Sequence, residues 1–196
     1  MIATGWLAMA RNSQKTVFLD RDGVLNVDHG YVSRPDDLEL FPDVVSSLAK
    51  LQAKGFQLIV VTNQSGVARG YFTLADVHAF HSHMSEVLAQ NAITIAKYYI
   101  CPHHKDGTVA EYAVDCLCRK PRPGMLRQAF EEFDIDRKNS FLIGDKISDI
   151  DCGQAMELRS VQIDRGQYPV HESPFAVETS LANAVDLILK TFAHEN

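Results

Sequence analysis

Thr16-Val17-Phe18-Leu19-Asp20-Arg21-Asp22-Gly23 carries an apolar, β-branched run straight into two carboxylates and a glycine. Residues two apart on extended backbone face the same way, so Asp20 and Asp22 aim into one space, and Gly23 lets the chain turn sharply behind them. One carboxylate can attack while the other handles protons, which reads as a phosphoryl-transfer site at the end of a buried strand. The plainer reading is an acidic strand end with solvated charges. The segments around it decide between the two.

Further short runs of the same kind predict strands at Gln57–Val61, Ile95–Ile100, Ser140–Ile143 and Ser160–Ile163. Between and after them, helical spacing of apolar residues marks Val44–Lys54, Leu74–Asn91, Gly124–Phe133, Ile147–Leu158 and Ser180–Phe192. Pro42-Asp43 and Thr73 supply helix starts and Gly55 a stop. Strand alternating with helix implies a doubly wound, mainly parallel α/β sheet with helices on both faces, whose ligands gather beyond the strands' carboxyl ends. Two stretches break the rhythm, Asn26 to Phe41 and Cys101 to Arg122. Neither is long enough for a large cap domain, so loops are expected to supply specificity. Residues 1–14 are expected to form a flexible extension and 15–196 a single domain.

At 196 residues, 46% of them hydrophobic, the chain can bury a substantial core. A formal net charge of −6 leaves no general basic footprint, which argues against nucleic acid as a partner. No apolar stretch approaches the ~20 residues that would span a bilayer, so no membrane association is expected. The apolar start lacks a basic leader, and the reading is an unexported protein acting as a monomer on a small molecule.

Val60-Val61-Thr62-Asn63-Gln64-Ser65-Gly66 ends the second strand with two hydroxyls and two amides, donors suited to phosphate oxygens. Arg119-Lys120-Pro121-Arg122-Pro123-Gly124 sets three cations just before a helix, in a chain that is acidic overall. Lys120 can neutralise a phosphoryl group and Arg119 can fork onto another anionic or hydroxylated part of the ligand, with Arg122 a solvated or structural charge. Leu142-Ile143-Gly144-Asp145-Lys146-Ile147-Ser148-Asp149 gives the fourth strand an acidic end. Asp20 and Asp145 side by side would repel unless a hard cation such as Mg²⁺ lay between them. Asp149 is expected behind that ion rather than on it, capping the next helix or holding a metal-bound water.

Cys101, Cys116 and Cys118 cluster in sequence with His103 and His104, while Cys152 stands apart. Disulfides are rare in an unexported chain, so the reading is a Cys₃His set, Cys101, His103, Cys116 and Cys118, holding a structural Zn²⁺. His104 is the ambiguous member. Closing the loop on zinc would also hold Arg119 and Lys120 still, because they follow Cys118 directly.

Four motifs in this order, each after its strand, resemble the haloacid dehalogenase (HAD) superfamily of phosphohydrolases. The resemblance implies a Rossmann-like sheet, with Asp20 as nucleophile and Asp22 as general acid and base. Thr62 and Lys120 would be phosphoryl stabilisers, and Mg²⁺ would be held by Asp20, Asp145 and the main-chain carbonyl of Asp22. Cys-Pro-His-His, the long spacer, Cys-x-Cys-Arg-Lys-Pro and Asp28-His29-Gly30-Tyr31 resemble that superfamily's heptose-bisphosphate phosphatase branch. The related histidinol-phosphatase domain shares the zinc ligands but has a shorter spacer. The branch resemblance implies substrate contacts from Asp28, His29, Gly30, Tyr31, Asn63, Gln64, Ser65, Arg119 and Lys146. It also implies a sugar bisphosphate substrate, an aspartyl-phosphate intermediate, a cytoplasmic location and a product used for lipopolysaccharide heptose. Val24, where many superfamily members have threonine, departs from the pattern. The alternatives are a histidinol-phosphate or other small sugar-phosphate phosphatase and, from another class, a phospho-accepting receiver module.

Overall fold

The structure is a computed structural model, and the residues described are 13–193. Six parallel strands stand in the order β3-β2-β1-β4-β5-β6. They are β1 Thr16–Leu19, β2 Gln57–Asn63, β3 Lys97–Cys101, β4 Phe141–Gly144, β5 Arg159–Ile163 and β6 Ala176–Glu178. The helices are α1 Val44–Ala53, α2 Leu74–Ala89, α3 Gly124–Glu132, α4 Ile147–Gln154 and α5 Leu181–Ala193.

Alternation along the strands fills two cores, as a sheet covered on both faces requires. Val17 and Leu19 of β1, Leu58 and Val60 of β2 and Phe141 and Ile143 of β4 pack with Leu48 of α1, Phe80 and Met84 of α2 and Val185 of α5. Phe18, Ile59, Val61 and Leu142 point the other way, against Met125, Leu126 and Ala129 of α3 and Cys152 of α4. The expected doubly wound sheet is present, and among the described residues no large cap stands over its carboxyl edge.

Several boundaries move. β2 continues through Thr62 and Asn63, and β3 through Cys101, so the first cysteine of the loop is anchored on the sheet. α4 stops at Gln154 rather than Leu158, because Glu157 takes φ +58° and Leu158 N–H returns to the Gly153 carbonyl. β6 was not expected: three residues, Ala-Val-Glu, on the sheet's outer edge carry no readable alternation. Asp43 precedes α1 as read, but its carboxylate accepts from the Ala182 N–H and so serves the first turn of α5. Thr73 and Asp76 cap α2 reciprocally. The long loops are not featureless, and short 3₁₀ turns occupy Pro35–Asp37 and Arg137–Asn139.

Of the expected extension 1–14, residues 1–12 lie outside the described residues. Gln14 exchanges backbone hydrogen bonds with Asp134 and Asp136 at 2.7 and 3.0 Å. At the other end of the strand order, β3 is an outer strand, and Lys97 on it pairs with Glu132 of α3 at 2.6 Å. Among the described residues no helix is long and apolar enough to cross a membrane.

Candidate active site

β1 sits between β2 on one side and β4 on the other, so the chain leaves β1 and β4 in opposite directions and a crevice opens beyond their carboxyl ends. The Asp20 N–H donates to the Ile143 carbonyl at 2.9 Å, which sets Asp20 level with the end of β4 and beside Asp145. A pocket of about 470 Å³ opens there. Of the expected residues, Asp20, Asp22, Asp28, Gly30, Tyr31, Asn63, Gln64, Ser65, Arg119, Lys120, Lys146 and Asp149 line it. A larger depression, about 610 Å³, lies along β3 between α2 and α3 and holds none of these residues.

The two motif carboxylates have opposite surroundings. Burial pushes Asp20 up from the usual carboxylate range, only partly offset by Lys120, and the Asp149 charge pushes the same way. Burial would raise Asp22 as well, but the Arg21 charge and hydrogen bonds from Arg21, Asn26 and Gln64 outweigh it and hold the carboxyl low. Arg21, fully buried, donates to Asp22 from Nε and Nη2 at 2.9–3.0 Å and from Nη2 to the Val32 carbonyl at 2.8 Å.

Lys120 crosses under the pocket. Its Nζ lies 2.8 Å from Asp20 Oδ1, 2.7 Å from Asp149 Oδ1 and 2.8 Å from the Val61 carbonyl, a full complement for three ammonium protons. Burial alone would lower this amine, and the charges of Asp149 and Asp20 raise it instead. The other oxygen of Asp149 accepts from the Lys146 N–H at 3.0 Å at the start of α4. Asp149 therefore caps its helix and ties down Lys120, both oxygens engaged.

Asp145 differs. Both its carboxylate oxygens are buried without a hydrogen-bond partner, with the Lys146 ammonium 3.7 Å from one of them. Burial, and then the Asp20 charge, hold its carboxyl above the usual range. Carboxylate oxygens of Asp20, Asp145 and Asp149 lie within 4.8 Å of one another. Orphaned hard oxygens facing a second carboxylate are what a Mg²⁺ would satisfy, so the donor set fits the ion.

The amides read as phosphate donors also hold the machinery together. Asn63 brackets the backbone of Lys120, accepting from its N–H at 3.1 Å and donating to its carbonyl at 3.2 Å. Gln64 donates at 2.8 Å to both Asp22 and the Thr62 hydroxyl. Thr62 lies buried behind the pocket wall. His29 turns away, pairs with Glu39 at 2.9 Å, and lines a separate depression. Asp28 accepts from the Gly30 N–H at 2.9 Å, a short turn that carries Tyr31 to the rim in a left-handed conformation.

Cys101, Cys116 and Cys118 sulfurs stand 3.2–3.6 Å apart, and His103 Nδ1 lies 3.2 Å from Cys118 Sγ. A disulfide would need about 2.05 Å, whereas ligands on one tetrahedral Zn²⁺ at about 2.3 Å stand nearly 4 Å from each other. All four cysteines are free thiols. The spacing fits a single zinc. His104 stays outside the cluster, its Nδ1 accepting from Asp106 N–H and its Nε2 against Arg69. A hydrogen bond from Cys101 and others nearby pull Cys118 down to about 5, despite burial.

Sequence reasoning missed Arg21, Asn26, Ser148, Tyr168 and Arg165. Ser148 and Tyr168 line the pocket, and Arg165 donates to the Gly23 carbonyl at 3.3 Å. Arg21 had a signal, since a cation between two motif carboxylates must be matched with one of them once the strand end is buried. Tyr168 and Arg165 had none, because they arrive from the irregular segment after β5.

The family model described as "HAD-hyrolase-like" matches residues 117–190. A protein from Pasteurella multocida named D-glycero-beta-D-manno-heptose-1,7-bisphosphate 7-phosphatase is 42% identical over 159 residues, 81% of this chain and 86% of its own. One of the same name from Escherichia coli is 40% identical over 181 residues, 92% of this chain and 91% of its own. Among solved structures, D,D-heptose 1,7-bisphosphate phosphatase from B. bronchiseptica complexed with magnesium and phosphate superposes with TM-score 0.78 at 30% identity. That match covers 91% of this chain and 99% of the other.

Proposed function

Because the chain belongs to the D-glycero-beta-D-manno-heptose-1,7-bisphosphate 7-phosphatase family of HAD-type phosphoric monoester hydrolases, we propose that it removes the C7 phosphate of that heptose bisphosphate through an aspartyl-phosphate on Asp20. The observation that carries this reading is a buried Asp20, gripped by Lys120 in a pocket also lined by Arg119 and Lys146, with the Asp145 carboxylate, whose two oxygens lack hydrogen-bond partners, within 4.8 Å of it.

In this mechanism the Asp20 carboxylate attacks phosphorus in line and displaces the sugar oxygen, to which Asp22 gives a proton. Asp22 then takes a proton from the water that opens the mixed anhydride. The low pKa of free Asp22 suits the second role directly. For the first, the anionic substrate beside it counters the Arg21 charge and lets it hold a proton until the oxygen leaves. Lys120 keeps Asp20 aimed and lends positive charge to the transferring group, with the Thr62 hydroxyl behind it. Asp20, Asp145 and the Asp22 carbonyl would hold Mg²⁺, which when bound offsets the negative charge of carboxylates and phosphoryl oxygens. Arg119 and Lys146 supply charge for the phosphate that stays on the sugar, and Tyr31 with the Asp28 turn closes the rim around the heptose. Cys101, His103, Cys116 and Cys118 would hold a structural Zn²⁺, which when bound would fix the direction of the two cations that follow. The protein is read as a cytoplasmic monomer, one domain over 15–196, whose product feeds lipopolysaccharide heptose synthesis.

The test is phosphate release from heptose 1,7-bisphosphate, heptose 1-phosphate and histidinol phosphate, with and without Mg²⁺. Mg²⁺-dependent release of one phosphate from the bisphosphate, leaving the 1-phosphate intact, is expected. Preference for histidinol phosphate, or a stable phosphoprotein without turnover, overturns the reading.

A further inference from the structure

On α2, outside every motif, His81 lies buried against the Arg21 guanidinium, its Nε2 3.2 Å from Arg21 Nη1. Its ring stacks on Tyr98 of β3, centroids 4.4 Å apart and 16° from parallel, and the Tyr98 hydroxyl meets Ser85 at 2.9 Å. The guanidinium also sits over the Phe80 ring, 4.5 Å from its centroid.

Arginine only donates hydrogen bonds, so Nε2 must present its lone pair, and the proton of the neutral ring must be on Nδ1. That Nδ1 is buried with no partner. A buried donor without a partner is destabilising, and a leucine or phenylalanine filling the same space would avoid it. The stranded group is thus the cost of keeping an acceptor against Arg21. Burial and the Arg21 charge also keep the ring neutral, its pKa lowered to about 3, so the acceptor persists.

We propose that His81 is a positioning residue: as an Nδ1–H imidazole it accepts from Arg21 Nη1, and so fixes the guanidinium that holds the Asp22 carboxylate in place for proton transfer. The geometry supports a chain from Tyr98 through His81 and Arg21 to Asp22. Of its members only Asp22 lines the pocket. The role in proton transfer rests on the function proposed above, whereas the tautomer and the hydrogen bond do not.

The test combines ¹⁵N NMR of the wild-type histidines with kinetics of three variants. His81 is expected as the Nδ1–H neutral tautomer near neutral pH. His81→Leu should lower kcat by ~10–100-fold, the worth of one hydrogen bond to a charged group, and leave KM unchanged. His81→Gln, whose amide reaches the Nε2 position, should recover most of the loss, while His81→Asn, which reaches only Nδ1, should not. An Nε2–H tautomer, an imidazolium, a wild-type kcat in His81→Leu, or equal losses in the Gln and Leu variants would overturn the proposal. If the wild type hydrolyses p-nitrophenyl phosphate but not the heptose bisphosphate, the substrate reading fails and the kinetics are run on p-nitrophenyl phosphate. Should neither be hydrolysed, or the variants not fold, the wild-type tautomer decides.

Discussion

Gly23 and Asp145 stand so close that a Cβ on residue 23 would lie 2.1 Å from Asp145 Oδ2. Gly23 also takes φ +86°, where a side chain costs about 1–2 kcal/mol. The first motif is therefore fitted to the fourth across the β1–β4 crevice. In Gly23→Ala the flexible Asp145 side chain must swing aside, which separates it from Asp20. The variant should fold with a modest loss of stability, yet lose Mg²⁺ affinity and most turnover. Calorimetric Mg²⁺ titration together with phosphate release checks this, and wild-type affinity in the variant contradicts it.

Asp20 and Asp22 differ in how their loss is felt. Asp20→Asn removes the attacking group and should leave no covalent route. Asp22→Asn should retain a residue of turnover, lowered by ~10²–10⁴-fold. Fluoroberyllate added to the wild type should leave its adduct on Asp20. An adduct on another side chain, or substantial turnover by Asp20→Asn, refutes the assignment.

Protons and Mg²⁺ should compete for the same carboxylates. Asp145 and Asp20 have pKa values raised in the folded chain above the ordinary 3.8, so they bind protons more readily folded than unfolded. Their contribution to stability therefore grows as pH falls toward 3.8 and is withdrawn as pH rises through the raised values. Asp22, with its pKa depressed, contributes stability above 3.8 and loses it only on going lower. Over the interval above 3.8 the two raised groups act against His81 and Cys118, whose pKa values are lowered to about 3 and about 5 and which lose stability on the same acidification, so the two carboxylates are read through their Mg²⁺ dependence. Mg²⁺ should then raise Tm more at about pH 8 than at about pH 5, where protons already neutralise the site. Equal Mg²⁺ increments at both pH values would count against this account.

Cys118 is bonded directly to Arg119 in sequence, and the Arg119 Nη1 reaches back to the His103 carbonyl at 3.3 Å. Cys118→Ser should release zinc, expose the 101–118 segment to limited proteolysis, and reduce turnover although no substrate contact has been changed. Metal content and cleavage mapping report on it. Full zinc occupancy with unchanged cleavage sites would remove the structural role.

The architecture was legible because β1, β2 and β4 are buried on both faces and read as unbroken apolar runs, each followed by its polar motif. The clustering of Cys101, His103, Cys116 and Cys118 was legible because cysteine and histidine at those spacings have few other uses in an acidic, cysteine-poor chain. Less legible was which partner each polar side chain takes. Asn63 and Gln64 look like ligand donors in isolation, and only the return of the chain at Lys120 and the approach of Asp22 to Gln64 show where these hydrogen bonds go. His29 reads as part of a binding loop, but Glu39, ten residues later, draws it off. His81 sits among other histidines on α2, and nothing in that pattern singles out the one beneath Arg21. Such pairings are set by tertiary approach, which periodicity does not encode.

The outer position of β3 has a bearing on how the molecule behaves in a crowded solution. A parallel sheet that ends on Lys-Tyr-Tyr-Ile-Cys offers a sticky rim to any passing extended peptide. Lys97, paired with Glu132 on α3, sets a charge on that outer strand. The ion pair itself adds little to folding, since both groups meet water. A lysine on an edge strand is the kind of charge that disfavours pairing of one sheet edge with another.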